Sequence, residues 1–286
     1  MQNVKLNNGV KMPVAGFGVY EIPKEQTKQA VIDAIDVGYR LIDTAQVYYN
    51  EAEVGQAICE CDVDREELFI TTKVWISNYG YNNCLSSVYR SLNRMNLDYI
   101  DLVLLHEPYY DYYSSYSALE DLYDDGIVKA IGVSNFSPAK LTDLCLFGRE
   151  VIPQFNQIET NPFNAGYFAQ ETMEKNSVQM GAWSPFGQGC EDIFNNPELI
   201  EIGKKYNKSV AQVVLRWLVQ RNIVPVSKST HKERMAENID IFDFALDEED
   251  MLKFKEIDTG ESIFMDPEDP ETVEEFEEDF LNDGKI

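Results

Sequence analysis

Short apolar runs rich in β-branched and aromatic residues recur eight times along the chain, each followed by a longer stretch of helical period. That alternation predicts parallel strands joined by helices. The strands are expected at 14–18, 40–43, 68–73, 100–105, 130–133, 155–158, 179–184 and 224–227. Eight such units predict an α/β fold closed as a (β/α)8 TIM barrel. Ahead of the first strand, Val4-Lys5-Leu6 and Val10-Lys11-Met12 flank Asn7-Asn8-Gly9. Asn and Gly tolerate the positive φ of a tight turn, so an N-terminal β-hairpin is expected, placed to plug the barrel bottom. Between the strands, Ser137-Pro138 reads as an N-cap with proline at the first helical position, and Asp64 followed by Glu67 as a start-of-helix box.

In a barrel of this kind chemistry belongs at the C-terminal ends of the strands, where loops converge above a packed interior. Asp43, Lys73, His106, Ser134-Asn135, Gln157, Ser184 and Lys228-Ser229 stand at or just past the ends of seven of the apolar runs. Singly, such an Asp is more often a helix cap and such a His a satisfied core residue. Lys73 changes the picture, because an ammonium ending an apolar strand must meet water or a carboxylate, and Asp43 on the neighbouring strand is the obvious partner.

With Tyr48 in the loop after the second strand, these residues compose a scheme for carbonyl reduction. The Tyr48 hydroxyl gives a proton to a carbonyl oxygen, and Lys73 lowers the phenol pKa toward working pH by stabilising phenolate. Asp43 keeps Lys73 charged, and His106 donates a hydrogen bond to the same oxygen, as an oxyanion-hole donor does. The hydride must come from a cofactor.

Composition narrows the partners. The 286 residues, 44% of them hydrophobic with 16 Gly and 11 Pro, make one ordinary globular domain, 1–286. Within it, 261–286 forms an acidic tail holding eleven Asp or Glu against one Lys. A net charge of −26 repels phosphodiester backbones and anionic lipid, so neither nucleic acid nor membrane is an expected partner. Five cysteines without a CxxC pair suggest reduced thiols and a cytoplasmic protein. No apolar run approaches the roughly 20 residues needed to cross a bilayer. Nor does any segment read as an exposed apolar stripe, which favours a monomer.

The motifs resemble those of the aldo-keto reductase family over nearly the whole chain. Gly38-Tyr39-Arg40-Leu41-Ile42-Asp43-Thr44-Ala45, with Tyr48 and Asn50-Glu51, is similar to the family's first signature, and Ala130-Ile131-Gly132-Val133-Ser134-Asn135-Phe136 to its second. Lys228-Ser229, followed by Arg234 and Glu237-Asn238, makes a third match. The likeness points to the bacterial, NADPH-dependent branch, similar to diketo-gluconate and glyoxal reductases. It implies an NADPH-dependent oxidoreductase reducing aldehydes and ketones to alcohols, with a tetrad of Asp43, Tyr48, Lys73 and His106 and Tyr48 as general acid.

It also implies that Ser134, Asn135 and Gln157 hold the nicotinamide carboxamide, that Trp183 stacks on the ring and that Ser184 sits near the pyrophosphate. Lys228, Ser229 and Arg234 would grip the ribose 2′-phosphate, and Glu237 and Asn238 the adenine. No Rossmann fingerprint competes, because Gly16-Phe17-Gly18-Val19-Tyr20-Glu21 lacks the third glycine.

Two positions depart from the family, which often has Trp after the first strand and after the catalytic His. Here those places hold Tyr20 and Glu107. Glu107 either repels acidic substrates or turns to solvent, and solvent is the expectation. Tyr20 and Trp75 are candidates for a pocket wall or for core packing, and Ile263, Phe264 and Met265 for a cover over the pocket.

Three rivals remain. A Schiff-base lyase would need a neutral Lys73, which pairing with Asp43 opposes. A metal hydrolase finds only His106 and His231, so no metal is expected. A non-enzymatic NADPH-binding protein would use the same fold without the tetrad's chemistry.

Overall fold

The computed structural model describes residues 2–147, 150–264 and 266–282. Among the described residues, ten strands form two sheets. β1 (Asn3–Lys5) and β2 (Lys11–Pro13) make an antiparallel hairpin. β3 (Gly16–Gly18), β4 (Leu41–Asp43), β5 (Phe69–Val74), β6 (Leu102–Leu105), β7 (Ile131–Ser134), β8 (Phe155–Glu159), β9 (Gln179–Trp183) and β10 (Val224–Ser227) follow one another around a closed parallel barrel, β10 pairing back to β3. The expected (β/α)8 barrel with its N-terminal hairpin is therefore the observed fold.

The hairpin turns through Gly9 at φ +91°, with the Gly9 amide donating to Leu6 O at 2.9 Å. Val4, Leu6, Met12 and Val14 then pack against Leu41, Phe69, Leu102, Ala130 and Phe155, residues at or near the starts of barrel strands. This is the plug that the sequence predicts. It leaves the opposite end of the barrel, where the strands finish, as the open mouth.

A larger core fills the space between strands and helices, including Ile42, Ile70, Val103, Val133, Val214 and Trp217, whose ring stacks on Phe254 at 4.5 Å. Parallel strands are covered on both faces, which is why their sequences read as continuous apolar runs such as Leu102-Val103-Leu104-Leu105. Gly132 of β7 lies against β8: a Cβ there would lie 2.4 Å from the Phe155 carbonyl oxygen.

The expected boundaries shift in places. Val14 and Ala15 belong to the hairpin connection, Ile100 makes only an isolated bridge to Val128, and β9 ends at Trp183 because Ser184 takes φ +47°. Ser137 does cap its helix, accepting from the Lys140 amide at 3.4 Å with Pro138 in the first turn. Asp64 does not act as a side-chain cap: Arg65–Glu67 is a single 3-10 turn, because the chain must enter β5 at Phe69. The acidic tail carries a helix of its own, Pro270–Asn282. Among the described residues no helix is long and apolar enough to cross a membrane.

Candidate active site

One cavity of about 1290 Å³ opens at the strand ends; every catalytic, cofactor and pocket-wall candidate named from the sequence lines it except Lys73, and of the cover candidates Phe264 lines it while Ile263 does not. Lys73 lies behind the wall, 1% exposed, and its ammonium is held from three sides. Its Nζ forms a short ion pair with Asp43 Oδ1 and donates to Thr44 O at 3.2 Å and to Tyr48 Oη at 3.5 Å. The other Asp43 oxygen accepts from Gln157 Nε2 at 3.1 Å, so β4, β5 and β8 are tied together through one buried carboxylate.

Tyr48 reaches this cluster from a 3-10 turn, Gln46–Tyr48, that the motif itself braces. Gln46, which sequence reasoning passed over, donates to Ser91 Oγ at 3.1 Å and accepts from the Trp75 amide at 3.1 Å and Asn78 Nδ2 at 2.9 Å. Asn50 accepts from Thr44 Oγ1 at 2.9 Å and donates to Val19 O at 3.0 Å; Glu51 accepts from Thr72 Oγ1 at 2.7 Å and pairs with Arg94 at 2.8 Å. The signature residues around Tyr48 thus act as scaffold, fixing the loop that aims the phenol.

The His106 ring stands edge-on to Trp75 at 5.1 Å and to Tyr48 at 5.7 Å. Burial, and secondarily the Lys73 charge, hold the imidazole well below its ordinary pKa, so it is neutral through the working range. A neutral imidazole keeps one N–H, which is what a hydrogen-bond donor to a carbonyl oxygen needs. The phenol of Tyr48 departs from the expectation that Lys73 would draw it down. Burial first, then Asp43, Tyr20 and Glu107, hold it well above the usual tyrosine value. The main reason is burial of the hydroxyl, to which the neighbouring Asp43 carboxylate adds its like charge.

The cofactor candidates run along the rest of the cavity. Ser134 Oγ donates to Gln157 O at 2.9 Å, and Asn135, at φ +62°, donates from Nδ2 to Glu107 Oε1 at 2.9 Å while accepting the Trp183 indole N–H at 2.7 Å. Lys228 faces Glu21 at 3.8 Å, and Ser229 Oγ accepts from the His231 amide at 3.0 Å. Arg234, Glu237 and Asn238 project into the cavity wall from the helix Lys232–Ile239. The cavity wall thus carries both the Tyr48–His106 pair and two cations, Lys228 and Arg234.

Of the three substrate-wall candidates, Trp75 is buried, and Tyr20, 47% exposed, rests on Tyr48 at 4.9 Å. Glu107 contradicts its expectation. It does not turn to solvent but is 3% exposed against the cavity, because Tyr79 Oη donates to its carbonyl at 2.8 Å and accepts from its amide at 3.1 Å, drawing the backbone inward. Burial pushes its carboxyl up to about 8, against opposing pulls from Asn135 and Lys73. The folded chain thus keeps a proton there that the unfolded chain releases. This contribution to stability is lost as pH rises from the ordinary glutamate range to about 8.

The tail closes over this end. Phe264 lies against Trp183 at 5.3 Å, and Phe276 against Trp75 at 5.9 Å and Tyr109 at 5.2 Å. Glu159, ending β8, accepts from the Ser262 hydroxyl and from the Ile263 amide at 3.2 Å and so anchors the segment. Met265, the third expected cover residue, lies outside the described residues. No group of metal-ligating side chains occurs among the described residues.

Comparison with known proteins extends this picture. The model of the Aldo/keto reductase family matches residues 14–259. The chain is 42% identical over 287 residues to morphine 6-dehydrogenase of Pseudomonas putida, covering 94% of this chain and 95% of that one. It is 44% identical over 268 residues to glyoxal reductase of Bacillus subtilis (strain 168), covering 93% and 96%. Among solved structures, an aldo-keto reductase from a deep-sea metagenome library superposes with a TM-score of 0.90 at 40% identity, covering 93% of this chain and 98% of that one. The Bombyx mori aldo-keto reductase in complex with NADP superposes at 0.88 with 34% identity, covering 93% and 96%.

Proposed function

The chain belongs to the aldo/keto reductase family, and from that premise we propose that it reduces aldehydes and ketones to alcohols with NADPH, Tyr48 being the general acid. The observation that carries the reading is the convergence of the Tyr48 hydroxyl and the His106 ring on one end of the cavity, with the buried Lys73–Asp43 pair directly behind the phenol. NADPH, when bound, supplies the hydride. The residues present fit it: Lys228 and Arg234 are cations along the wall of a chain otherwise strongly acidic, and a 2′-phosphate needs such charge-assisted donors. In this reading Ser229 joins them, Glu237 and Asn238 hold the adenine, Ser184 lies by the pyrophosphate, Ser134, Asn135 and Gln157 hold the carboxamide, and Trp183 provides a face for the ring.

The chain's own part in the chemistry follows from the geometry. His106, neutral, orients the carbonyl oxygen and stabilises the charge that develops there. Tyr48 stays protonated at every working pH, and an alkoxide is more basic than even this phenolate, so the proton moves from Oη to the product oxygen. Lys73, 3.5 Å from Oη, then faces the phenolate, with Asp43 as its ion-pair partner. A Schiff-base role for Lys73 loses support, because its Nζ is bound on three sides and the side chain does not line the cavity.

Following NADPH absorbance with a panel of aldehydes, ketones and α-dicarbonyls tests the reading, with NADH alongside. Several carbonyls are expected to be reduced, and Lys228→Ala or Arg234→Ala to raise the KM for NADPH by roughly 10- to 150-fold each, the loss of one charge-assisted contact of about 1.5–3 kcal/mol. The KM for NADH should barely move. Binding of NADPH with no carbonyl ever reduced would instead favour a binding protein on this fold.

The tail 261–286 enters the same reading as the substrate cover, on the strength of Phe264 and Phe276 at the aromatic end of the cavity. A chain ending at Gly260 should reorder the carbonyl panel by kcat/KM while shifting NADPH affinity little. An unchanged order would remove the tail from the pocket.

A further inference from the structure

We propose that Glu107, once ionised, makes the substrate end of the cavity select carbonyl compounds that bear a cationic nitrogen and reject those that bear a carboxylate. The proposal deepens the reductase reading and rests on it. Glu107 follows His106 directly, lines the cavity and is 3% exposed. One carboxyl oxygen, Oε1, accepts from Asn135 Nδ2 at 2.9 Å; the other, Oε2, is buried with no hydrogen-bond partner at all. Among the described residues no Lys, Arg or His nitrogen lies within ion-pair distance of either oxygen.

An unpartnered buried carboxyl oxygen is costly to leave unmatched once ionised; a protonated amine supplies both the donor and the charge, and a quaternary amine the charge. The walls around it support the same ligand chemistry. Trp75, Phe264 and Phe276 line the cavity with it, and aromatic faces attract a desolvated cation. The chain as a whole carries the same sign, with a net charge of −26. The cavity's cations, Lys228 and Arg234, are assigned to the cofactor, so a carboxylate substrate would meet the ionised form of Glu107 without compensation.

The groups facing Glu107 from its neighbours do not supply the missing charge. From β5 Lys73 acts through space but is spent on Asp43 of β4, and Tyr48 and His106 are neutral through the working range. Tyr79 is committed to the Glu107 backbone, and Tyr109, whose hydroxyl donates to Pro267 O at 2.8 Å, is likewise neutral. Asn135 is the one side-chain hydrogen-bond partner of the carboxyl among the described residues. With the carboxyl protonated up to about 8, a cationic substrate must displace that proton, so preference for it strengthens as pH rises toward that value, while preference for an anion weakens.

The test compares three benzaldehydes that differ only at the para position: a trimethylammoniomethyl group, its uncharged neopentyl isostere and a carboxylate. None of the three para groups titrates between pH 6.5 and 9. In the unaltered protein the cation-to-neutral ratio of kcat/KM is expected to rise by roughly tenfold across that range and the carboxylate-to-neutral ratio to fall. In Glu107→Gln, which keeps the shape and an acceptor for Asn135, both ratios should be flat with pH and near one. Equal ratios in the two proteins, with the neutral aldehyde reduced, would overturn the role of Glu107 alone. Failure of any aldehyde to react with NADPH would bring down the reductase reading, and this proposal with it.

Discussion

Replacing Tyr48 with Phe is expected to lower kcat/KM for carbonyl reduction by about 10²- to 10⁴-fold, the usual range for removal of a positioned general acid. The variant isolates the hydroxyl, because the ring contacts survive: Tyr20 at 4.9 Å, His106 at 5.7 Å and Lys73 Nζ 5.1 Å above the ring centroid. Lys73 loses only its longest partner and keeps Asp43 and Thr44 O. NADPH titration by fluorescence should therefore give a Kd close to that of the unaltered protein, and thermal unfolding should shift little. Turnover near the original level would mean that another group delivers the proton. His106 is a poor substitute, being held neutral by burial.

The same protonation states make a pH profile informative. Tyr48 titrates well above and His106 well below the ordinary values, so neither should inflect kcat/KM through the neutral range. An inflection near pH 8 would belong to Glu107, and its disappearance in Glu107→Gln would separate it from the two groups that handle the carbonyl.

How much of this was legible in the sequence depends on whether a residue's fate is decided locally. The barrel strands were legible because a strand buried on both faces has no polar alternation to hide it, and Lys73 because an ammonium at the end of Leu68-Phe69-Ile70-Thr71-Thr72 leaves few physical outcomes. Asp64 misled because its helix-start pattern is local while the end of that turn is set by where β5 begins. Glu107 misled for a longer-range reason: Tyr79, 28 residues earlier, grips both its amide and its carbonyl and so decides which way the chain turns. Gln46 offered no signal as a lone amide, since its three partners come from segments more than 25 residues away. Phe276 was hidden in a run of acids, where one aromatic residue is ordinarily a solvated accident and here reaches Trp75.

Asp43→Asn and Lys73→Met are each expected to destabilise the protein by about 3–5 kcal/mol, because each leaves one buried charge without its partner. At 4% and 1% exposure neither remaining charge can reach water without moving the strand that carries it. A loss of that size is a large part of the ~5–15 kcal/mol that holds a typical protein folded, so both single variants should unfold at markedly lower urea. The double variant should recover most of the loss, since no charge is then left buried and Gln157 Nε2 still finds an amide oxygen at position 43. Activity should not recover with it, because phenolate at Tyr48 would have no ammonium to face. Urea midpoints and NADPH turnover measured on the same four proteins separate the two roles. Losses in stability that simply add in the double variant would mean that Asp43 and Lys73 do not act as a charge-coupled pair. Restored turnover would remove Lys73 from the proton transfer altogether.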